Sequence, residues 1–123
     1  MQSAKPRMQR KFRYNASMHE RQRFVHVHVS KELAQKLGIK LRSTSVRRGD
    51  TVKVMAGSNK GKTGKVNAVS LRRSTVFIDG INRKNKKGRE LQLPISASNV
   101  YLIDMDLNDK LRKAKIDALK QKK

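Results

Sequence analysis

Arg48-Gly49-Asp50-Thr51-Val52-Lys53-Val54 is followed closely by Gly61-Lys62-Thr63-Gly64-Lys65-Val66, and this pair of segments narrows the possible folds more than anything else in the chain. Gly49-Asp50 is a turn. Val52 and Val54 then alternate with polar neighbours, the period of a strand with one face buried. Gly57-Ser58-Asn59-Lys60-Gly61 is a loop whose two glycines are free to take positive φ. A second β run spans Lys65 to Leu71, so the expected unit is a hairpin. Val66 and Val69 break strict alternation there, which predicts a bend or bulge. Ser74 to Asp79 predicts a third strand ending at Gly80. Leu91, Leu93 and Ile95 alternate in a fourth, with Pro94 marking an edge or a strand end. Val100 to Ile103 makes a short fifth. About five short antiparallel strands between residues 46 and 104 cannot form two packed sheets. A strongly bent sheet closing into a small barrel is the economical solution, and the fold class expected is mainly β.

The flanks read differently. Residues 1–45 form a basic N-terminal arm. Within it Lys5 to Tyr14 is a cationic run containing Pro6, not expected to fold alone. Ser17-Met18-His19-Glu20 fits a capping box, so a short helix is expected from Ser17. A second should begin after Ser30, with Leu33 and Leu37 on one face and Gly38 stopping it. Between them Phe24 to Val29 alternates and reads as extended. Residues 105–123 form a charged helical tail. Leu107, Leu111, Ala114 and Ala118 keep helical spacing, with Asp106 as the cap and lysines over the other faces. The organisation expected is an arm over 1–45, a barrel over 46–104 and a tail over 105–123.

Charge decides the partner class. The chain has 123 residues, with 31 Lys plus Arg against 9 Asp plus Glu, a formal charge of +22. Only 36% of residues are hydrophobic and 4% aromatic, so the core must be small and poor in rings. Small domains bury a modest fraction of their surface, and repulsion among so many cations costs further stability. Such a chain needs a polyanion. No apolar run is long enough to span a membrane, and the basic N-terminus lacks the apolar stretch of a signal peptide. A role at an anionic membrane surface lacks an apolar anchoring face. Zero cysteines exclude disulfides, thiolate zinc sites and cysteine nucleophiles, which agrees with a cytoplasmic location.

Catalytic lookalikes fail on spacing. Gly57 to Thr63 resembles a phosphate-binding loop, but three residues separate Gly57 from Gly61-Lys62-Thr63 where four are required. The residues after Thr63 have strand periodicity, whereas that loop must open a helix. The acids are scattered, and four of the nine (Glu20, Glu32, Glu90 and Asp109) stand directly beside Lys or Arg, so no pair is poised as general acid and base. His26 and His28 share one face of a possible strand as metal ligands do, but two ligands alone bind a metal poorly. No enzyme activity, cofactor, metal or small-molecule substrate is expected. Phe77 and Tyr101, in β runs, read as core.

The hairpin resembles a KOW motif: Gly-Asp-x-Val-x-Val over residues 49–54, a glycine loop, then Lys-Gly-x-x-Gly-x-Val over residues 60–66. Such motifs occur on SH3-like barrels in ribosomal proteins and transcription elongation factors. The flanks narrow this. Lys5-Pro6-Arg7-Met8-Gln9-Arg10-Lys11, Tyr14-Asn15-Ala16, His19 and Ser30-Lys31-Glu32-Leu33 lead into the motif, and Pro94-Ile95 and Ser98-Asn99-Val100 precede a charged tail. That order is similar to the large-subunit ribosomal protein family numbered L twenty-four in bacteria and archaea and L twenty-six in eukaryotes. The short run beyond the tail helix looks archaeal. The resemblance implies a non-enzymatic constituent of the large ribosomal subunit that binds the 5′ region of its rRNA during assembly, near the polypeptide exit tunnel.

By position, the resemblance makes the basic arm and the loop from Lys60 to Lys62 RNA-facing. The candidates in the arm are Lys5, Arg7, Arg10, Lys11, Arg13, Asn15, Arg21 and Arg23, with Tyr14 as a stacking residue and His19 favoured by the family pattern. In the hairpin they are Lys53, Ser58, Asn59, Lys60, Gly61, Lys62 and Lys65, with Arg72 and Arg73 in the next turn. The run Arg83, Lys84, Lys86, Lys87 and Arg89 sits between two strands, and the charge excess favours phosphate contact over a solvated tip. The tail from Lys110 to Lys123 reads equally as an RNA contact or a solvated face. Partners expected are large-subunit rRNA, neighbouring ribosomal proteins and possible tunnel-exit factors. The rival is a KOW module serving transcription elongation through a polymerase, which leaves the cationic arm unexplained.

Overall fold

The computed structural model describes residues 3–121. In chain order the elements are α1 (Pro6–Asn15), α2 (Met18–Phe24), β1 (His26–Val29), α3 (Lys31–Leu37), β2 (Ser43–Ser45), β3 (Thr51–Val54), β4 (Thr63–Ser70), β5 (Thr75–Lys84), β6 (Glu90–Ser96), β7 (Val100–Asp104) and α4 (Lys110–Gln121). No described helix is long and apolar enough to cross a membrane.

The strands form one sheet in the order β2-β1-β7-β3-β4-β5-β6. The mainly β, barrel-like architecture is as expected, but the sheet has seven strands rather than about five. Both additional strands come from the first 45 residues. β1 lies parallel to β7, with His28 opposite Tyr101 and Val29 opposite Leu102, and β2 pairs antiparallel outside it. The alternation around Val27 marked extended chain, but nothing local names its partner.

The bends sit where alternation failed. Val66 opposes Ile78 while Ala68 opposes Phe77, so Asn67 is an inserted bulge residue. β5 does not end at Gly80. That glycine takes φ 77° and the strand continues to Lys84 across a register shift between Phe77 and Asn82. Gly64 has a different task. A Cβ there would lie 2.6 Å from both the Asp79 carbonyl oxygen and Ile78 Cγ2, so only glycine lets β4 and β5 approach. Pro94, which has no N–H to give a ladder, sits in the edge strand β6.

The core is aliphatic. Val52, Val54, Val66, Val76, Ile78, Val100 and Leu102 are fully buried, joined by Val25 and Val27 from the arm and by Leu33 of α3. Helix α3 forms as its caps dictate: the Ser30 hydroxyl accepts from Leu33 N–H at 3.1 Å, and Gly38 stops the helix at φ 67°. Lys5 to Tyr14, not expected to fold alone, is helical over α1. Pro6 opens that helix in the position where its missing N–H costs nothing.

The tail corrects the sequence reading. Helix α4 starts at Lys110, and Asp109, not Asp106, caps it, its carboxylate accepting from Leu111 N–H at 3.0 Å. The docked residues are Arg112 and Ile116; Leu111 is 74% exposed, and Ala114 and Ala118 face solvent. The stripe is displaced because Arg112 has a partner that no periodicity reveals. Asp50, in the turn before β3, is fully buried and receives the Arg112 guanidinium at 2.6 and 2.8 Å. The same carboxylate accepts from Arg47 N–H at 2.8 Å and Asp106 N–H at 3.0 Å. Arg112 also donates to the carbonyls of Ser45 and Asp106, leaving Nε without a partner. Arg47 and Asp109 form a second ion pair beside it.

Candidate nucleic-acid interface

The arm presents its cations on a scaffold of two short helices. On α1, Arg7, Arg10, Lys11 and Tyr14 fall at helical spacings of three and four, so they share one stripe. All four are exposed, Tyr14 to 83%. Phe12 turns the other way and meets Phe24 of α2 edge to face, ring centroids 6.1 Å apart, with Arg13 over the Phe24 ring at 5.6 Å. Helix α2 carries the capping box read from sequence: Glu20 Oε2 accepts from Ser17 N–H at 2.9 Å, and the Ser17 hydroxyl accepts from Glu20 N–H. His19 and Arg23 are exposed one turn apart on α2.

Arg21 has another occupation. Its guanidinium donates to the carbonyls of Ala16 at 2.9 Å and Tyr14 at 3.0 Å, satisfying the end of α1 and fixing the corner between the helices. Burial, and then the charge of Arg23, hold the His26 imidazole below its usual pKa, favouring its neutral form. Among the described residues, no three His, Cys, Asp or Glu side chains cluster as a metal site.

The hairpin loop joins β3 to β4 as a compact turn. Gly57 and Gly61 take φ of 92° and 88°, Gly61 N–H donates to the Val54 carbonyl at 2.8 Å, and Lys60 N–H donates to the Gly57 carbonyl at 3.1 Å. Lys60 projects to solvent; Lys62 Nζ donates to Asn59 Oδ1 at 3.1 Å, which orders both side chains. Lys53 pairs across the ladder with Thr63, and Thr51 with Lys65, so Lys53 and Lys65 lie on the same outward face.

The second basic loop closes between β5 and β6, with Gly88 at φ 76° and Asn85 N–H donating to the Arg89 carbonyl at 2.8 Å. Arg83, Lys84, Lys86, Lys87 and Arg89 are all exposed. Because β3 to β6 run antiparallel in spatial sequence, the topology brings the Lys60 loop and the Arg83–Arg89 loop to one end of the ladder. The exposed Arg72 and Arg73 turn lies at the other end. Among the described residues, ion pairs engage Lys36, Arg47, Arg112 and Lys120, and none of the candidate cations.

Two features escaped the sequence reading. Tyr101, expected in the core, is 38% exposed and packs edge to face on His28, while Phe77 is only half-buried. The Asp50–Arg112 clasp joins residues 62 positions apart, and neither carries a local signature.

The chain is similar to known proteins over nearly its whole length. The sequence model of the family described as the ribosomal proteins L26 of eukaryotes and L24 of archaea matches residues 3–119. The protein named large ribosomal subunit protein uL24 from Methanosarcina barkeri is 45% identical over 116 residues, covering 94% of this chain and 98% of that protein. Its counterpart from Methanothrix thermoacetophila is 45% identical over 109 residues, 89% of this chain and 92% of the relative. That from Pyrobaculum islandicum is 41% identical over 119 residues, 97% and 95% respectively. With the family pattern matched from the basic arm through the tail helix, the chain belongs to the ribosomal protein family that comprises L twenty-six of eukaryotes and its archaeal L twenty-four counterparts.

Proposed function

We propose that this chain is a structural constituent of the large ribosomal subunit that binds and scaffolds the 5′ region of large-subunit rRNA, near the mouth of the polypeptide exit tunnel. One observation carries the RNA part of this reading. The cations of α1 and of the two hairpin loops are exposed, held on ordered backbone, and in no ion pair among the described residues. Cations left without internal counter-ions in a chain of net charge +22 are complementary to closely packed phosphates. Arg suits bidentate phosphate contacts and Lys supplies mobile point charge. Recognition on this reading is mainly of RNA shape and backbone. The chemistry is neutralisation: RNA segments that repel one another approach where the protein stands between them. Location near the tunnel and contact with the 5′ region rest on family membership rather than on charge.

The test is sedimentation of a tagged copy from cell lysate through sucrose, at low and then at high salt. Co-migration with large subunits that persists at high salt is expected. Isolated phosphate contacts weaken by roughly 0.7 to 0.9 log units per contact for each tenfold rise in salt, so persistence means interlocking with folded RNA. Migration with RNA polymerase, or as a light free species, overturns the reading. Crosslinking followed by RNA sequencing places the contact, and reads concentrated outside the 5′ region of the large rRNA would remove that part.

A further inference from the structure

The outward face of the sheet carries a row of side chains that the basic segments do not explain. Lys53 of β3 stands opposite Tyr101 of β7, and Tyr101 stands opposite His28 of β1. Residues in register across a sheet share a face, and all three are exposed, so the row crosses three adjacent strands. The two rings meet edge to face with centroids 5.7 Å apart and planes at 63°. His26, two residues before His28, lies on the same face.

Tyr101 is 38% exposed between Val100 and Leu102, which are both fully buried. The strand that anchors it is therefore rigid, and a ring with two side-chain torsions loses little freedom on making a contact. Every nucleobase has a π-face, so aromatic side chains on a sheet surface accept unstacked bases whatever their sequence. Lys53 is in no ion pair among the described residues. A nucleotide offers a flat base to the rings and an anion to the lysine together. A neighbouring protein would have to bring an acidic group and an apolar one in the same register.

We propose that His28 and Tyr101 form a stacking platform for an unpaired RNA base, with Lys53 holding the adjoining phosphate. This rests on the RNA-binding reading above and deepens it by naming unstacked, single-stranded RNA as what this face takes.

The test uses the full chain and two probes: an adenosine oligonucleotide of roughly ten nucleotides, within the usual site size for single strands, and a blunt RNA duplex. Affinity is measured across a salt series. Tyr101→Leu should weaken single-strand binding by about tenfold, the scale of one lost stack, with duplex affinity and salt slope unchanged. Tyr101→Phe, which keeps the ring, should bind as the parent does. If Tyr101→Leu and His28→Leu both bind the strand like the parent, the platform is overturned while RNA binding stands; a protein neighbour covering this face would give that result. Equal loss for strand and duplex also overturns it. If the parent binds neither probe, the RNA-binding reading falls and the platform with it. Ultraviolet crosslinking of the unaltered protein to the strand removes dependence on any variant's folding. Crosslinks at Tyr101 or His28 support the proposal, and crosslinks confined to the arm and basic loops overturn it.

Discussion

Asp50 is the residue on which the attachment of the tail turns. Its carboxylate is fully buried and serves four donor groups: two guanidinium nitrogens of Arg112 and the backbone N–H groups of Arg47 and Asp106. A buried pair gains little over a well-packed apolar pair, but removing one partner strands the other charge. Asp50→Ala should therefore destabilise the chain by about 3–5 kcal/mol in a urea titration, leaving the Arg112 guanidinium buried without its counter-ion. The double change Asp50→Leu with Arg112→Met should recover much of that loss. A parent-like midpoint for Asp50→Ala would show that water replaces the carboxylate at no cost. From sequence this aspartate reads as half of a Gly49-Asp50 turn; the turn is centred one residue earlier, on Arg48 and Gly49, and Asp50 closes it through its N–H to the Arg47 carbonyl. Its second role needed Arg112, and a charged residue on a lysine-rich helix looks like every other cation until a buried acid faces it.

At the scale of elements, capping chemistry was legible because it is local. Ser17 with Glu20 and Ser30 with Gly38 bound α2 and α3 as their spacing predicted. The run from Lys5 to Tyr14, not expected to fold alone, is helical because its support comes from outside it: Phe12 against Phe24, and Arg21 bridging to the carbonyls of Tyr14 and Ala16. The two helices should consequently weaken together. Ser17→Ala removes the capping hydroxyl at a cost of about 1 kcal/mol. Hydrogen exchange should then quicken across residues 6–24 while β3, β4 and β5 keep their protection. Equal loss of protection in the strands would instead make arm and sheet one cooperative unit. The stripe of α4 failed for a related reason. Helical spacing named Leu107, Leu111, Ala114 and Ala118; Leu107, ahead of the helix, does pack against the core, but on α4 docking is set by where Asp50 and the core lie, which selects Arg112 and Ile116.

For the whole molecule, charge distribution governs behaviour. The cations stand on the arm and at both ends of the ladder, so RNA affinity should fall linearly with the logarithm of salt concentration. Replacing Lys60 and Lys62 together by Gln should lower that slope by about 1.5, two phosphate contacts at roughly 0.7 to 0.9 each. An unchanged slope with parent affinity would mean that the glycine loop faces away from RNA. By itself the sequence determined the mainly β class, the hairpin with its glycine loop, the caps of two helices, the bend near Val66 and the large excess of positive charge. Each of these is written in a window of a few residues or in the summed charge. Only the tertiary structure decided that His26–Val29 would enter the sheet beside β7, that Gly80 would bend a strand rather than end it, and that Tyr101 would stand outside the core. It also decided which face of the tail docks. Those outcomes depend on pairings between segments far apart in the chain, and alternation, helical spacing and charge say which face is apolar without saying what lies across from it.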